Sequence, residues 1–353
     1  MKLSKLFLFG VLGGLFFNSC SSDDDNVDPQ PEPEVGVYSE GLFVLNEGAQ
    51  AAGTVTYISD DMETVENEIY QANNNDDLGM FLQSMFFHED NAYIISNGSN
   101  LITAVDRNTF EVVGKVDSGL KVPYYAAVVG ETAYVTNLAE VIDAPNDDYI
   151  ALVDLKTLEV TGTIEIDGPA SKIIAEDEFV YVQNSSYGVG NTITVINSAT
   201  KDVVKTIQVN DGLTDMEIEN DYLYVLGTGS FETIDLTTGQ KVSEVIFSEE
   251  LQDDIKKVAN LEVEDGTAYF TLDNAVYAMA VGATTNPVVP MIEYTSNSQW
   301  GKMYGFEVED DNIYIGDAGD FGSNGFIQVY TTTGEFLKQI NVGVAPNGFY
   351  FND

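Results

Sequence analysis

The chain has 353 residues, enough for one large domain or two ordinary ones, and 44% of them are hydrophobic, so a sizeable core is available. Its charge is strongly acidic, with 58 Asp and Glu against 14 Lys and Arg and a formal net charge of −44. Such a charge repels phosphate groups, which excludes nucleic acid as a partner and disfavours adsorption to anionic lipid headgroups.

Residues 1–20 have the pattern of an export signal. Lys2 and Lys5 give a positive start, and an apolar stretch over 6–17 follows that is too short to span a bilayer comfortably. The segment ends at Cys20, the one cysteine of the chain, and resembles the lipobox of bacterial lipoproteins. This resemblance implies cleavage before Cys20 and lipidation of its thiol, which would be the only attachment to a membrane. The alternative is an ordinary secretory signal with an incidental Cys.

Residues 21–36 form the predicted tether. The Ser-Ser-Asp-Asp-Asp run over 21–25 resembles the acidic export tag of Bacteroidetes-type lipoproteins. It implies a position on the outer membrane, facing the cell exterior, although an acidic solvated linker would look the same. Pro29, Pro31 and Pro33 are typical of an extended linker. We therefore expect a folded domain over 37–353.

The folded region repeats a short strand built around a tyrosine. The repeat spacing lies between 41 and 47 residues, a period typical of four-stranded propeller blades. Other apolar strands keep the same phase, and the third strand often ends in Asp or Asn with Thr three residues later, a pattern that fixes tight turns. The recurring tyrosines, which we predict to be structural, are Tyr93, Tyr134, Tyr181, Tyr224, Tyr269 and Tyr314.

The two ends of the domain supply one further blade. Residues 347–351, Asn-Gly-Phe-Tyr-Phe, have the character of an innermost strand, and we group Tyr350 with the recurring tyrosines. Residues 41–45, 54–58 and 65–70 supply the second, third and fourth strands. The sequence thus predicts an all-β, seven-bladed β-propeller whose closing blade is shared by N- and C-terminal strands, which removes the open sheet edges.

Candidate binding residues lie in the longer loops, which gather on one face of a propeller. They are large aromatic side chains outside the repeat and amides close to them, a combination that suits a broad, partly apolar ligand. For each aromatic residue the alternative is packing between neighbouring blades. The predicted ligand-binding residues are Trp300, Tyr187, Tyr124, Tyr125, Phe81, Phe321, Asn97 and Asn184.

The sequence gives little support for catalysis or bound metal. With one His and one Cys, a zinc site with its three or four ligands is nearly excluded, and only His88, in an acidic turn, could serve a catalytic triad. Two Asn/Asp-rich segments, 73–77 and 143–148, offer oxygen ligands for calcium but lack the EF-hand pattern. We therefore predict a binding protein that is not an enzyme, with no catalytic residues, metal or cofactor.

The repeat resembles the YVTN family of propellers, which includes YncE-like secreted proteins. Residues 134–137 spell Tyr-Val-Thr-Asn, and the resemblance covers nearly the whole mature chain. The Phe-Val-Leu-Asn-Glu-Gly run over 43–48, on a lipidated propeller with an acidic tag, is similar to a group of Bacteroidetes surface lipoproteins that includes the vitamin B12-capturing BtuG propellers. No corrinoid-contacting residue can be carried over from that group by motif.

This resemblance implies a nutrient-binding role. The ligand would be a corrinoid, haem or a ferric siderophore, and the partner a TonB-dependent outer-membrane transporter that receives it. Two alternatives stay open. One is a surface adhesion or protein-interaction propeller, and the other is a metal-dependent propeller hydrolase or lyase, for which histidine is scarce.

Overall fold

A computed structural model describes residues 36–140, 147–186, 188–248 and 258–352. The predicted signal peptide, Cys20 and nearly all of the predicted tether lie outside these ranges. Among the described residues, no helix is both long enough and apolar enough to cross a bilayer.

The described residues form 28 strands and one short helix. In the first half of the chain these are Gly41–Asn46 (β1), Thr54–Ile58 (β2), Val65–Glu66 (β3), Ile69–Asn74 (α1), Leu82–His88 (β4), Asn91–Ser96 (β5), Leu101–Asp106 (β6), Val112–Val116 (β7), Pro123–Val129 (β8), Thr132–Asn137 (β9), Tyr149–Asp154 (β10), Glu159–Glu165 (β11), Ile173–Glu176 (β12), Phe179–Ser186 (β13) and Val189–Asn197 (β14). In the second half they are Val203–Gln208 (β15), Leu213–Glu219 (β16), Tyr222–Gly227 (β17), Ser230–Asp235 (β18), Gln240–Ile246 (β19), Val258–Glu264 (β20), Thr267–Leu272 (β21), Ala275–Ala280 (β22), Ile292–Glu293 (β23), Gly305–Glu309 (β24), Asn312–Asp317 (β25), Asn324–Thr331 (β26), Phe336–Val344 (β27) and Pro346–Asn352 (β28).

The strands pair into seven four-stranded antiparallel sheets, each one blade. Six blades use four consecutive strands, and the seventh has the order β28-β1-β2-β3. The innermost strands are β28, β4, β8, β12, β16, β20 and β24, and each contacts the next around a closed ring. The predicted all-β, seven-bladed propeller is thereby confirmed, and the pairing of β28 with β1 agrees with the predicted shared blade.

The hydrophobic core lies between the blades. Seven clusters of buried side chains each join residues of two neighbouring blades. A twisted four-stranded sheet is apolar on both faces in this arrangement, because each face packs against the next blade. The core therefore depends on the ring being closed.

The recurring tyrosines belong to this core. All six lie in the second strand of their blades and are buried, as predicted. Tyr350 differs, because it lies in the innermost strand β28 and is only half-buried. In that blade the residue at the tyrosine position is Phe43, which is fully buried in β1.

The predicted turns between third and fourth strands are held by the expected side chains. The carboxylate or amide oxygen accepts a hydrogen bond from the amide of the Thr three residues later, at 2.9 Å in Asp106 and Asp154 and 3.0 Å in Asn197. The predicted strand over 65–70 is wrong in its second half. The strand stops at Glu66, and Ile69–Asn74 forms α1 instead, with Ile69 and Tyr70 buried.

Tyr294 and Asp317 form a buried hydrogen bond between two blades. The Tyr294 hydroxyl donates to Asp317 Oδ2 at 2.8 Å, and Asp317 Oδ1 accepts from the Gly319 amide at 2.8 Å. Both side chains are fully buried. Because Tyr294→Phe removes a donor from a buried carboxylate, we expect a loss of about 2 kcal/mol in the free energy of unfolding, measured by urea denaturation.

Tyr330→Phe is the matched control for that substitution. The Tyr330 hydroxyl donates to Gln328 at 2.6 Å in a partly exposed position, where water can replace it. We expect this variant to lose less than about 1 kcal/mol. Equal losses in the two variants would contradict the argument from burial.

Candidate functional site

The seven innermost strands all begin on one face of the ring, here called the loop face, which also carries the loops between blades. A cavity of about 1050 Å³ opens on this face and enters the central channel. Its aromatic lining comes from the innermost strands β8, β24 and β28 and from the residue just before β24: Tyr124, Tyr125, Tyr304, Phe306, Phe349 and Tyr350. The wall is therefore apolar enough to hold a flat or bulky ligand.

The same cavity has a strongly acidic lining. It includes one lysine, Lys172, and five acidic residues: Glu140, Asp148, Asp215, Glu262 and Glu307. At the mouth Glu140 pairs with Lys121. Burial raises the pKa of Asp148 to about 6, although its carboxylate accepts the Ala170 amide at 2.8 Å.

Lys172 is the centre of an ion-pair network inside the channel. Its Nζ lies 3.0 Å from Asp215 Oδ1 and 3.3 Å from Glu217 Oε2. Burial acts to lower the pKa of Lys172, but the attraction of these carboxylates outweighs it and raises the pKa well above its usual value. Asp215 is fixed further because its Oδ2 accepts the Leu261 amide at 2.8 Å. Lys172 is therefore charged at any physiological pH.

Glu262 and Glu307 form a second pair next to this network. Burial and the proximity of Glu307 raise the pKa of Glu262 well above its usual range. Burial also raises the pKa of Glu307 to about 7, against the hydrogen bond with Glu262 that lowers it. Two carboxyls in one low-dielectric site titrate as a pair. Holding a proton costs less free energy than keeping two negative charges side by side.

The rim of the cavity is fixed by a contact across blades. The Tyr304 hydroxyl donates to the Glu47 carboxylate, and burial followed by this bond raises the pKa of Tyr304. Phe321 packs edge-on against Tyr304, with ring centroids 4.9 Å apart. One predicted site residue, Phe321, thus supports the wall without lining the cavity.

Two predicted residues, Tyr124 and Tyr125, line the cavity directly. Their rings pack edge-to-face at 4.9 Å. The Tyr125 hydroxyl accepts from Gln83 Nε2 at 3.3 Å, and burial raises the pKa of Tyr125 to about 12. Asn97 is one step removed, because its amide donates to Gln83 Oε1 at 3.0 Å.

The other predicted residues are not brought together. Asn184 is buried, where it donates to Pro169 O at 2.9 Å and accepts from Thr194 Oγ1 at 2.7 Å, so its contacts serve the blade. Phe81 and Trp300 lie on the loop face outside the cavity lining, and Trp300 is 78% exposed. Tyr187 lies outside the described residues.

Sequence reasoning missed the charged part of the site. The missed residues are Lys172, Asp215, Glu217, Glu262, Glu307 and the cavity-lining Tyr350. A signal for three of them was present, because Glu217, Glu262 and Glu307 each stand seven residues before the recurring tyrosine of their blade. Each is the register partner of that tyrosine, in three consecutive blades.

A smaller polar cluster lies on the opposite face, where the innermost strands end. His88 Nε2 is 3.3 Å from Glu131 Oε2, and Glu89 is close enough for the three side chains to share an ion. Lys156 Nζ also contacts Glu131 at 2.9 Å, and its hydrogen bond lowers the pKa of Glu131. A lysine ammonium thus already neutralises the carboxylate that a metal ion would need.

Similar solved structures share this fold at low identity. A quinonprotein alcohol dehydrogenase-like protein from Bacteroides thetaiotaomicron VPI-5482 has a TM-score of 0.66 and 14% identity, over 90% of this chain and 79% of that one. BamB from Moraxella catarrhalis has a TM-score of 0.56 and 14% identity, over 90% of both chains. AztD from Citrobacter koseri has a TM-score of 0.55 and 10% identity, over 88% of this chain and 96% of that one.

These likenesses establish the propeller fold alone, because identity is so low. No curated protein sequence matches the chain. One family does match, and it spans nearly the whole propeller, from residue 40 to residue 352. The chain belongs to the family described as Domain of unknown function (DUF5074).

Proposed function

We propose that this protein is a surface lipoprotein that captures a bulky ligand in its channel cavity and passes it to a TonB-dependent outer-membrane transporter. The observation that carries the proposal is the cavity of about 1050 Å³, open on the loop face and lined by six aromatic side chains. Ligand sites occupy roughly 300–1,000 Å³, so this cavity has room for a large one. In this proposal the lipid on Cys20 holds the propeller at the outer membrane, facing the cell exterior.

The acidic lining selects among the ligand classes. Haem carries two carboxylates, and catecholate ferric siderophores are anionic, so both would be repelled by Asp148, Asp215 and the other acids of the wall. A corrinoid carries neutral amides around its ring, and amide N–H groups can donate to carboxylates and to Gln183 or Asn347. A corrinoid or a neutral or cationic ferric hydroxamate therefore fits this cavity better than haem does.

Cyanocobalamin should bind the mature protein more tightly than haem or a ferric catecholate. Titration can be followed by calorimetry and by fluorescence of Trp300, the one tryptophan of the chain. A coloured ligand accepts excitation energy across a distance, so quenching reports binding without requiring contact with the exposed indole. If cyanocobalamin, haem and both kinds of ferric siderophore all fail to bind, the capture proposal is wrong.

The Tyr124→Ala variant tests whether the ligand binds in the cavity. Tyr124 lines the wall beside Tyr125, so its truncation should weaken cyanocobalamin binding by about 10-fold or more. Tyr222→Ala is the control, because Tyr222 is a partly exposed aromatic residue that begins β17 on the opposite face. Equal affinities of the two variants would place the ligand elsewhere.

A protein-interaction role is the second candidate, and the rim of the cavity favours it. Several exposed apolar side chains lie in different blades on the loop face outside the cavity lining, and exposed apolar groups are typical of partner-binding surfaces. They are Met80, Phe81, Val189 and Trp300. Under the capture proposal these side chains would contact the transporter. If the protein binds no small ligand, they would instead contact an adhesion or interaction partner.

A further inference from the structure

Within the described part of the chain, the carboxyls at the base of the cavity outnumber the cations beside them. Glu217, Glu262 and Glu307 occupy equivalent register positions in three consecutive blades. Asp215 lies two residues before Glu217 on the same strand, nearer the mouth of the cavity. Lys172 faces this group from the start of the neighbouring blade. Its ammonium is already paired with Asp215 and Glu217. Among the residues that the structure describes, Glu262 and Glu307 are therefore left without a cation of their own.

Two tyrosines described near the pair are neutral. Tyr350 reaches it from β28 and Tyr125 lies across the channel, and burial raises the pKa of both phenols, so neither is charged. Asp215 and Glu217 on β16 add repulsion, which Lys172 offsets in part. In the free protein the Glu262–Glu307 pair therefore retains a proton at mildly acidic and near-neutral pH.

Acceptors without donors supply an independent indication. Gln183 lines the cavity and is 4% exposed, and its amide nitrogen donates to Ser185 Oγ at 2.8 Å and to Thr214 O at 3.1 Å. Its Oε1 has no donor among the described residues, and neither does Oδ1 of Asn347, another lining residue. Buried acceptors are rarely left unpaired, so the described part of the wall is short of donors.

We propose that the base of the cavity binds the ammonium or guanidinium group of an organic cation in exchange for a proton of the Glu262–Glu307 pair. The ligand's N–H groups donate to the carboxylates and to Gln183, and the rings of Tyr125 and Tyr350 suit a cation. The carboxyl O–H bond breaks and its proton goes to solvent, while the ligand keeps its charge. The inference rests on the cavity named under the proposed function, and among the ligand classes weighed there it favours a cationic ferric hydroxamate over a corrinoid, whose amides are neutral.

Proton release on binding is the decisive measurement. We expect spermidine and agmatine to bind with a stoichiometry of one, and titration in two buffers of different ionisation enthalpy at pH 6 should show release of about one proton per ligand. Affinity should rise by up to about tenfold per pH unit below the pKa of about 7 of Glu307 and level off above it. Adsorption to the acidic surface releases no proton, because exposed carboxylates are already ionised at pH 6.

Two double variants test whether the released proton comes from the Glu262–Glu307 pair. Glu262→Gln with Glu307→Gln should abolish proton release and the pH dependence and weaken spermidine binding at least tenfold. Glu159→Gln with Glu165→Gln makes the same two substitutions on the exposed strand β11, where both carboxylates are ionised, and should leave all three unchanged. Binding of spermidine and agmatine without proton release, equal effects of the two double variants, or no binding of either probe would overturn the inference.

The outcome is separable from the corrinoid test. If cyanocobalamin binds but the cations do not, capture stands and the cation site is wrong. If the cations bind with proton release and no corrinoid, haem or siderophore binds, the cation site stands and the capture proposal is wrong.

Discussion

A chain truncated after Ala345 should fail to form the closed ring and should lose the cooperative thermal transition of the full protein. The truncation removes β28, which pairs with β1 from Gly41↔Asn352 to Asn46↔Pro346 and forms the innermost strand of its blade. It also removes the contacts of β28 with β24 and β4, its neighbours around the channel. The truncation therefore disrupts the closing blade and also removes the contacts that join this blade to its two neighbours.

The side chains of β28 show why the loss should be large. Phe349 is buried in the cluster between two blades, Asn347 donates to Leu82 O at 2.8 Å, and Asn352 donates to Arg107 O at 3.1 Å. Burial of one such aromatic residue is worth roughly 3 kcal/mol, and whole domains are stable by only about 5–15 kcal/mol. We therefore expect the truncated protein to be largely unfolded at 25 °C, measured by circular dichroism and limited proteolysis.

Adding the missing strand back provides the control. A synthetic peptide with the sequence of 346–353 should restore the cooperative transition in a concentration-dependent manner, because binding to the folded form shifts the equilibrium. A peptide with the same composition in scrambled order should not. A truncated protein that melts like the full one would show that ring closure contributes little to stability.

The fold could be predicted from the sequence because the repeat is local. Each blade contains its own strands and turns, and the tyrosine of the second strand marks where the blade lies in the sequence. The repeat spacing between these tyrosines is therefore enough to predict six blades. The closing blade followed from counting strands at the two ends. The prediction was wrong over 67–70, where apolar Ile69 and Tyr70 suggested a strand but are the buried face of α1. Short apolar runs do not distinguish these two structures.

The candidate site could be predicted only in part, because it depends on ring closure. Tyr124 and Tyr125 were found as aromatics outside the repeat, and the same criterion selected Trp300, which is exposed. The channel carboxyls do not stand out by composition, because the chain has 58 Asp and Glu residues. Glu262 and Glu307 share a position relative to the recurring tyrosine, but they are 45 residues apart, and only the closed ring brings them together in one channel. Pairs distant in sequence are invisible to local patterns.

Lys172→Met should destabilise the protein by about 3–5 kcal/mol at pH 8, because it leaves Asp215 and Glu217 in the channel without their cation. Met preserves most of the volume of the lysine stem, so the loss reports charge. The pKa of Lys172 is raised on folding, so its contribution is fully present at pH 8 and is lost only when pH rises through that raised pKa. Urea denaturation at pH 5 and pH 8 measures the effect.

The pH dependence distinguishes charge from packing. Carboxyls with a raised pKa bind more protons in the folded state, so stability falls as pH rises from about 4.5 through about 7. In the variant Glu262 and Glu307 lose the attraction of Lys172 and their pKa rises further, so the defect should be small at pH 5 and large at pH 8. A loss of equal size at both pH values would point to packing instead.

Lys338→Met is the matched control, because Lys338 pairs at 3.0 Å with Glu63, whose side chain is 76% exposed. Surface pairs contribute about 0–1 kcal/mol, so this variant should lose no more than that. The Lys172→Met variant should also bind spermidine more tightly than the unaltered protein, since the ligand then meets four carboxyls without competition from the Lys172 ammonium. Lower stability together with higher cation affinity would show that Lys172 occupies part of the space and charge that the ligand uses; lower stability without that gain would leave it a purely structural residue.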